Sequence, residues 1–200
     1  MDPALYPMDL SGAVPDDYVT MAEAIHQEYG RIDGIVHCAN EFKGLASLEN
    51  MPLEDWFTGM HVNLTAPFLM TRALLPYLRQ RNDACALFLL DNPERTNKAF
   101  WGSYGVAKQG LIGLVSILQQ ELESSPVRIL GVQPGPMRTA LRGRAYFAED
   151  ATHIPPATAY AAAIVTLLSE HGKSVSETIV KLEASTNSGP RTLGLPTFNA

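Results

Sequence analysis

Basic residues are scarce, membrane-length apolar runs are absent and cysteine is rare, and each shortage closes a class of function. Lys and Arg number 15 against 21 Asp and Glu, and the resulting net charge of -6 repels a phosphate backbone, so nucleic acid is not an expected partner. The longest apolar run, Ala84 to Leu90, falls far short of the roughly 18 residues needed to cross a bilayer, so no membrane partner is expected either. The opening MDPALYPMDL carries an acid and prolines where a signal peptide needs a basic start and a long apolar stretch, which gives a cytoplasmic expectation. Cys38 and Cys85 lie in apolar, strand-like runs without CxxC or Cys/His spacing, so both are expected as buried reduced thiols and no metal site is expected. Charged residues make up 18% of the chain and hydrophobic ones 46%, a composition that excludes disorder and suggests surface hidden in a second copy.

What is present is an alternation of short apolar runs and longer amphipathic segments, the pattern of a parallel sheet covered by helices. Ala4–Leu10 reads as a strand, Asp16 to Tyr29 as a helix stopped by Gly30, and 34–39 as a second strand. A helix is predicted from about Pro52 to Arg79, bent near Pro67, because Trp56, Met60, Leu64 and Leu74 recur at near-helical spacing. Strands at 84–90 and 127–133 flank the most regular helix, 105–123, which keeps Val106, Leu111, Leu114, Val115, Leu118 and Leu122 on one face. An Ala-rich helix at 155–168 and a β-branched strand at 177–182 complete the pattern, and the tail from 183 to 200 reads as loop. With no repeat and no linker between cores, residues 1–200 form one expected domain.

Tyr104 and Lys108 stand four apart at the start of the regular helix, one side chain above the other. An ammonium there favours the phenolate and draws a tyrosine pKa from about 10 toward the range useful in general acid–base catalysis. Such a pair alone is weak, since a Tyr-x-x-x-Lys spacing on a helix surface is common. Three further segments frame it: DGIVHCAN at 33–40, VNLTAPF at 62–68 and VQPGPMRT at 132–139.

In this order and spacing the four segments resemble the classical short-chain dehydrogenase/reductase family. The resemblance covers almost the whole chain and implies an α/β fold, a Rossmann-like doubly wound parallel sheet with helices on both faces, here N-terminally truncated to start at the family's third strand. It implies an oxidoreductase that transfers hydride between NAD or NADP and an alcohol or carbonyl. Tyr104 resembles the catalytic acid/base, Lys108 the residue that lowers its pKa and holds the nicotinamide ribose, and Asn63 the helix residue that orients a relay water. Pro134, Gly135 and Thr139 look like the turn against the nicotinamide, Ala39 and Asn40 like the strand end beside the ribose, and Asp9 like the adenine contact. Read from the residues alone, Pro134–Gly135 is equally a plain turn, Asp9 a helix-preceding cap, and Asn63 a helix-surface amide.

Three departures bear on activity. Where the family places its serine the chain reads LLDNPERT, so Asp91 or Asn92 takes that place. A carboxylate cannot donate to a reacting oxygen and would raise the tyrosine pKa, whereas an Asn92 amide could donate in the serine's stead. The strand end reads Cys38-Ala39-Asn40 instead of Asn-Ala-Gly, which brings a side chain to where the ribose should approach. The strand, Gly-rich turn and helix that hold a pyrophosphate are not found; GKS at 172–174 and GSYG at 102–105 are near misses to other motifs. Without that opening, strand 34–38 is expected as a sheet edge, to be covered by Ala4–Leu10, by a second chain, or by a segment preceding Met1.

Two functions therefore compete. One is the oxidoreductase, with activity impaired by the departures. The alternative is a non-catalytic relative acting as a binding or assembly subunit, a homo-oligomer through helices 52–79 and 105–123, with Phe57, Met60, Leu114 and Leu118 as candidate contacts. A hydrolase ranks third, since His37 and the other four histidines accompany no nucleophile motif.

Overall fold

The computed structural model describes residues 4–183 and 191–192. Helix α1 (Pro15–Tyr29) begins on a proline, whose missing N–H is no loss in a first turn, and the Asp17 carboxylate accepts from the Val14 N–H at 2.7 Å. It ends where Gly30 takes a φ of 69° and returns its N–H to the His26 carbonyl. Strand β1 (Gly34–His37) follows, then α2 (Leu53–Met60), a π-turn at His61–Thr65 and α3 (Ala66–Leu78). The predicted bend near Pro67 is this π-turn: Pro67 has no N–H for the ladder, and Ala66 reaches back five residues to the His61 carbonyl.

The remaining elements are β2 (Ala84–Leu89), α4 (Pro93–Thr96), α5 (Gly102–Glu121), β3 (Val127–Gln133), α6 (Ala140–Ala145), α7 (Ala161–Leu168), β4 (Ile179–Glu183) and β5 (Arg191–Thr192). The sheet order is β1-β2-β3-β4-β5, the first four parallel and β5 antiparallel to β4. Successive residues of β2 enter opposite cores. Ala86 and Phe88 pack with Met21, Leu74, Leu111 and Val115 of α1, α3 and α5, whereas Cys85 and Leu87 pack with Leu130, Tyr160 and Leu167 on the α7 side. This is the doubly wound α/β arrangement, and it directs the carboxyl ends of β1, β2 and β3 to one edge.

Several boundaries differ from the sequence reading. Ala4–Leu10 is not a strand: Pro7 cannot donate to a ladder, and Asp9 instead closes a turn, accepting from the Ser11 N–H at 2.9 Å. That segment therefore does not cover β1, which pairs with β2 alone among the described residues. Because β1 stops at His37, Cys38 is exposed, and only Cys85 is the buried thiol expected. The predicted helix over 155–168 divides into a 3-10 turn at Ala157–Tyr160 and α7. The tail contributes β5, so it is not wholly loop; its other residues, 184–190 and 193–200, lie outside the described residues, as do 1–3.

Candidate active site

A cleft of about 590 Å³ opens at the carboxyl edge of the sheet. Its walls are the chain following β1 (Cys38, Asn40, Phe42), the end of β2 with Asp91 and Asn92, the turn after β3 (Pro134 to Met137), Tyr104 and Lys108 of α5, and Thr139 to Arg144 leading into and through α6. Two glycines allow these segments to meet. A Cβ on Gly105 would collide with the Thr96 carbonyl oxygen, so its absence seats the start of α5 against the chain after β2. One on Gly135 would lie 2.8 Å from the Tyr160 hydroxyl, which donates to the Pro136 carbonyl at 3.0 Å and fixes the turn.

Tyr104 and Lys108 are both buried at the cleft. The Tyr104 hydroxyl donates to Asp91 Oδ2 at 2.7 Å, and Lys108 Nζ lies 5.7 Å from the Tyr104 ring centre while donating to the Leu89 carbonyl at 2.8 Å. Asp91 Oδ1 accepts from the Arg95 guanidinium and from the Asn92 N–H, and Gln133 Nε2 holds the Asp91 carbonyl at 3.0 Å. Both Asp91 and Asn92 line the cleft, and the packing gives them different partners. Asn92 spends its side-chain oxygen on the Glu94 N–H at 2.9 Å, capping α4, and the carboxylate is what meets the tyrosine.

The electrostatics run against the simple Tyr–Lys expectation. Burial, then the charge of Asp91 and its hydrogen bond, push the Tyr104 pKa well above its ordinary value. Burial brings Lys108 down to about 8 although Asp91 pulls it the other way. Lys108 is thus an ammonium held under strain at neutral pH, and Tyr104 is a phenol reluctant to lose its proton.

Asn63 does not enter the cleft. In the π-turn its Nδ2 donates to the Gly59 and Glu41 carbonyls, both at 2.8 Å, and its Oδ1 accepts from the Glu41 N–H at 2.9 Å. The side chain clamps the segment after β1 to α2, and both of its amide N–H groups are spent on backbone carbonyls. Asn40 lines the cleft, with Nδ2 donating to the Cys38 carbonyl at 2.8 Å. Ala39 is exposed outside the lining, and Asp9 borders a separate hollow at the start of α1. Thr139 lines the cleft and caps α6, its Oγ1 accepting from the Arg142 N–H at 3.2 Å. His37 is a core residue, 2.8 Å from Thr71 Oγ1 and stacked on Phe88 at 4.5 Å.

The sequence reading missed Phe42, Arg95, Leu141, Arg142 and Arg144, all of which line the cleft. For Arg95 a signal existed: it stands four residues after Asp91, the spacing of an ion pair across one helical turn. Of the others, Phe42 lies in the loop after β1, and Leu141, Arg142 and Arg144 lie in α6, a helix too short to show a periodic face.

Comparison with known proteins places this arrangement. Residues 4–149 match the family model described as short chain dehydrogenase. The chain belongs to the short-chain dehydrogenase/reductase family. It is 29% identical over 148 residues to the uncharacterised oxidoreductase YciK of Escherichia coli K12, covering 74% of this chain and 58% of that protein. A solved Pseudomonas syringae chain, provisionally described as a short chain dehydrogenase, is 33% identical with a TM-score of 0.84, covering 90% of this chain and 72% of its own. A similarly described protein from Escherichia coli CFT073, solved with NADPH, is 26% identical with a TM-score of 0.80, covering 86% of this chain and 71% of its own. The chain spans about half the length of the curated relatives it matches. Among the described residues no helix is long and apolar enough to cross a membrane.

Proposed function

We propose that residues 1–200 act as one domain, an alcohol or carbonyl oxidoreductase whose proton-transfer step is restrained by Asp91. The observation that carries this reading is the meeting of Tyr104, Lys108 and the Pro134–Gly135 turn at one cleft on the carboxyl edge of a parallel sheet. A nicotinamide cofactor, when bound, supplies or accepts the hydride.

The residues fit the nicotinamide end of such a cofactor. Lys108 Nζ has two N–H bonds beyond the one given to Leu89, suited to ribose hydroxyls, and the Thr139 hydroxyl keeps its own proton to donate while accepting from Arg142. They fit the phosphates less well. Among the described residues no strand, glycine-rich turn and helix surround the cleft, and the first turn of α1 carries Asp16 and Asp17, which repel an anion. NADP is the favoured form, because similar chains have been solved with NADPH and with NADP.

Tyr104 serves as the group that gives a proton to the carbonyl oxygen, or takes one from the alcohol. Asp91 opposes it twice, by occupying the hydroxyl and by placing negative charge where the reacting oxygen gains its own. Arg95 offsets part of that charge. Calorimetric titration of the full chain with NADPH and NADH tests the reading: saturable binding with NADPH preferred is expected, and no heat at millimolar cofactor overturns it.

A second reading, a non-catalytic assembly subunit, is favoured by apolar side chains left in water on α2, α3 and α5. Leu53, Phe57, Phe68, Val106 and Ile117 are all exposed. Of the four predicted contacts, Phe57 is exposed, Met60 and Leu114 are half-buried, and Leu118 is buried in the chain's own core. A homo-oligomer through these helices is expected in light scattering at micromolar concentration; a monomer removes this reading.

A further inference from the structure

The cleft concentrates positive charge in an acidic protein. Arg95, Lys108, Arg142 and Arg144 line it, four of the chain's 15 basic residues, and Asp91 is the one acid among its lining residues. Two of the four are neutralised in place. Arg95 pairs with Asp91 and lies 5.2 and 5.9 Å from the ring centres of Trp101 and Tyr146. Arg142 grips Glu149 through two N–H groups at 2.5 and 2.6 Å, and its guanidinium sits 4.8 Å from the Tyr146 ring centre.

The other two have no carboxylate at ion-pair distance among the described residues. Lys108 donates to the Leu89 carbonyl and Arg144 to the Phe42 carbonyl at 2.9 Å. A carbonyl satisfies a donor but leaves the formal charge standing. In the neighbouring hollow, Lys43 and Glu41 cancel at 3.5 Å. The cleft therefore holds two surplus positive charges in a chain of net charge -6, a local field that draws anions inward. Beside Arg144 the wall is apolar, formed by Phe42 and Leu141.

We propose that the carbonyl or alcohol compound taken by this cleft is an organic anion with an apolar body, its charged group pairing with Arg144 and its body lying along Phe42 and Leu141. This rests on the reading of the cleft as a substrate site. Arg144 is exposed and outside the core, so its replacement leaves the fold intact.

The test is calorimetric titration of the full chain with phenylpyruvate and with its methyl ester, each with and without saturating NADP. Phenylpyruvate is expected to bind at least tenfold more tightly than the ester in both conditions. The ratio falls toward one in Arg144→Gln, is retained in Arg144→Lys and shrinks with added KCl. Equal affinities, no binding of phenylpyruvate, or an undiminished ratio in Arg144→Gln overturns the proposal. A preference that vanishes when NADP is present assigns the surplus charge to the cofactor phosphates and overturns it as well. Binding is read without turnover, so a chain that selects the anion but transfers no hydride contradicts only the proposed activity. One that reduces neutral and anionic carbonyls alike contradicts only this inference.

Discussion

The Tyr104 hydroxyl donates a hydrogen bond to the Asp91 carboxylate at 2.7 Å, so the proposed acid/base of the cleft is held by a group of the wrong charge for an oxyanion partner. The carboxylate is itself pinned by Arg95 and the Asn92 N–H, and cannot swing away without leaving those donors unpaired, while Gln133 holds the Asp91 main-chain carbonyl. In Asp91→Asn the charge is gone while burial remains. Tyr104 is then expected to ionise at lower pH than in the parent, yet still above an ordinary tyrosine. Phenolate absorbance, taken as a difference against Tyr104→Phe, reads this directly.

Burial works against the Lys108 charge, lowering its pKa to about 8 from an ordinary 10.5. Between those values the unfolded chain binds more protons, so the Lys108 contribution to stability rises with pH through that window and is lost as pH falls through 8. A difference of roughly 2.5 units corresponds to about 3 kcal/mol. Lys108→Met is expected to be more stable than the parent at pH 7, with the gap closing by that order toward pH 10.5 in urea unfolding, and to lose cofactor-dependent activity.

His37 acts in the acid range. Burial first, and the Lys108 charge second, lower it to about 4 from 6.5. Its contribution is complete above 6.5 and is lost as pH falls through 4, because the unfolded chain protonates first. His37→Gln keeps a partner for Thr71 and does not titrate. Relative to the parent it is expected to gain about 3 kcal/mol between pH 7 and pH 4.

Asn63 joins the π-turn to the segment after β1 through two hydrogen bonds to the Glu41 backbone, with a third to the Gly59 carbonyl of α2. Asn63→Leu leaves the Glu41 N–H and carbonyl without those partners, and an expected loss of about 2–4 kcal/mol follows in denaturant unfolding. Substrate and cofactor affinity fall together in that variant, since Phe42 and Asn40 line the cleft on either side of the clamped residue.

Much of this was legible in the sequence where periodicity carried the information. The apolar face of α5 follows from spacing, except at Val106, which the structure leaves exposed, and the apolar runs at 84–90 and 127–133 are the buried strands β2 and β3. Ala4–Leu10 misled because alternation without a neighbouring strand makes no ladder, and Pro7 removes a donor besides. That Asp91 meets Tyr104 while Asn92 caps α4 was not legible, because both residues follow the same strand end and both line the cleft. The arginines at 142 and 144 were equally hidden, because α6 is too short to show a periodic face.

The restraint imposed by Asp91 is tested most directly by NADPH-dependent reduction of a panel of aldehydes and ketones by the parent, Asp91→Ser, and Asp91→Ser combined with Tyr104→Phe. A serine restores a donor at the reacting oxygen and frees the phenol, so kcat/KM is expected to rise about 100-fold or more and to collapse in the double variant. Equal rates for parent and Asp91→Ser, or a double variant as fast as the single one, would contradict it.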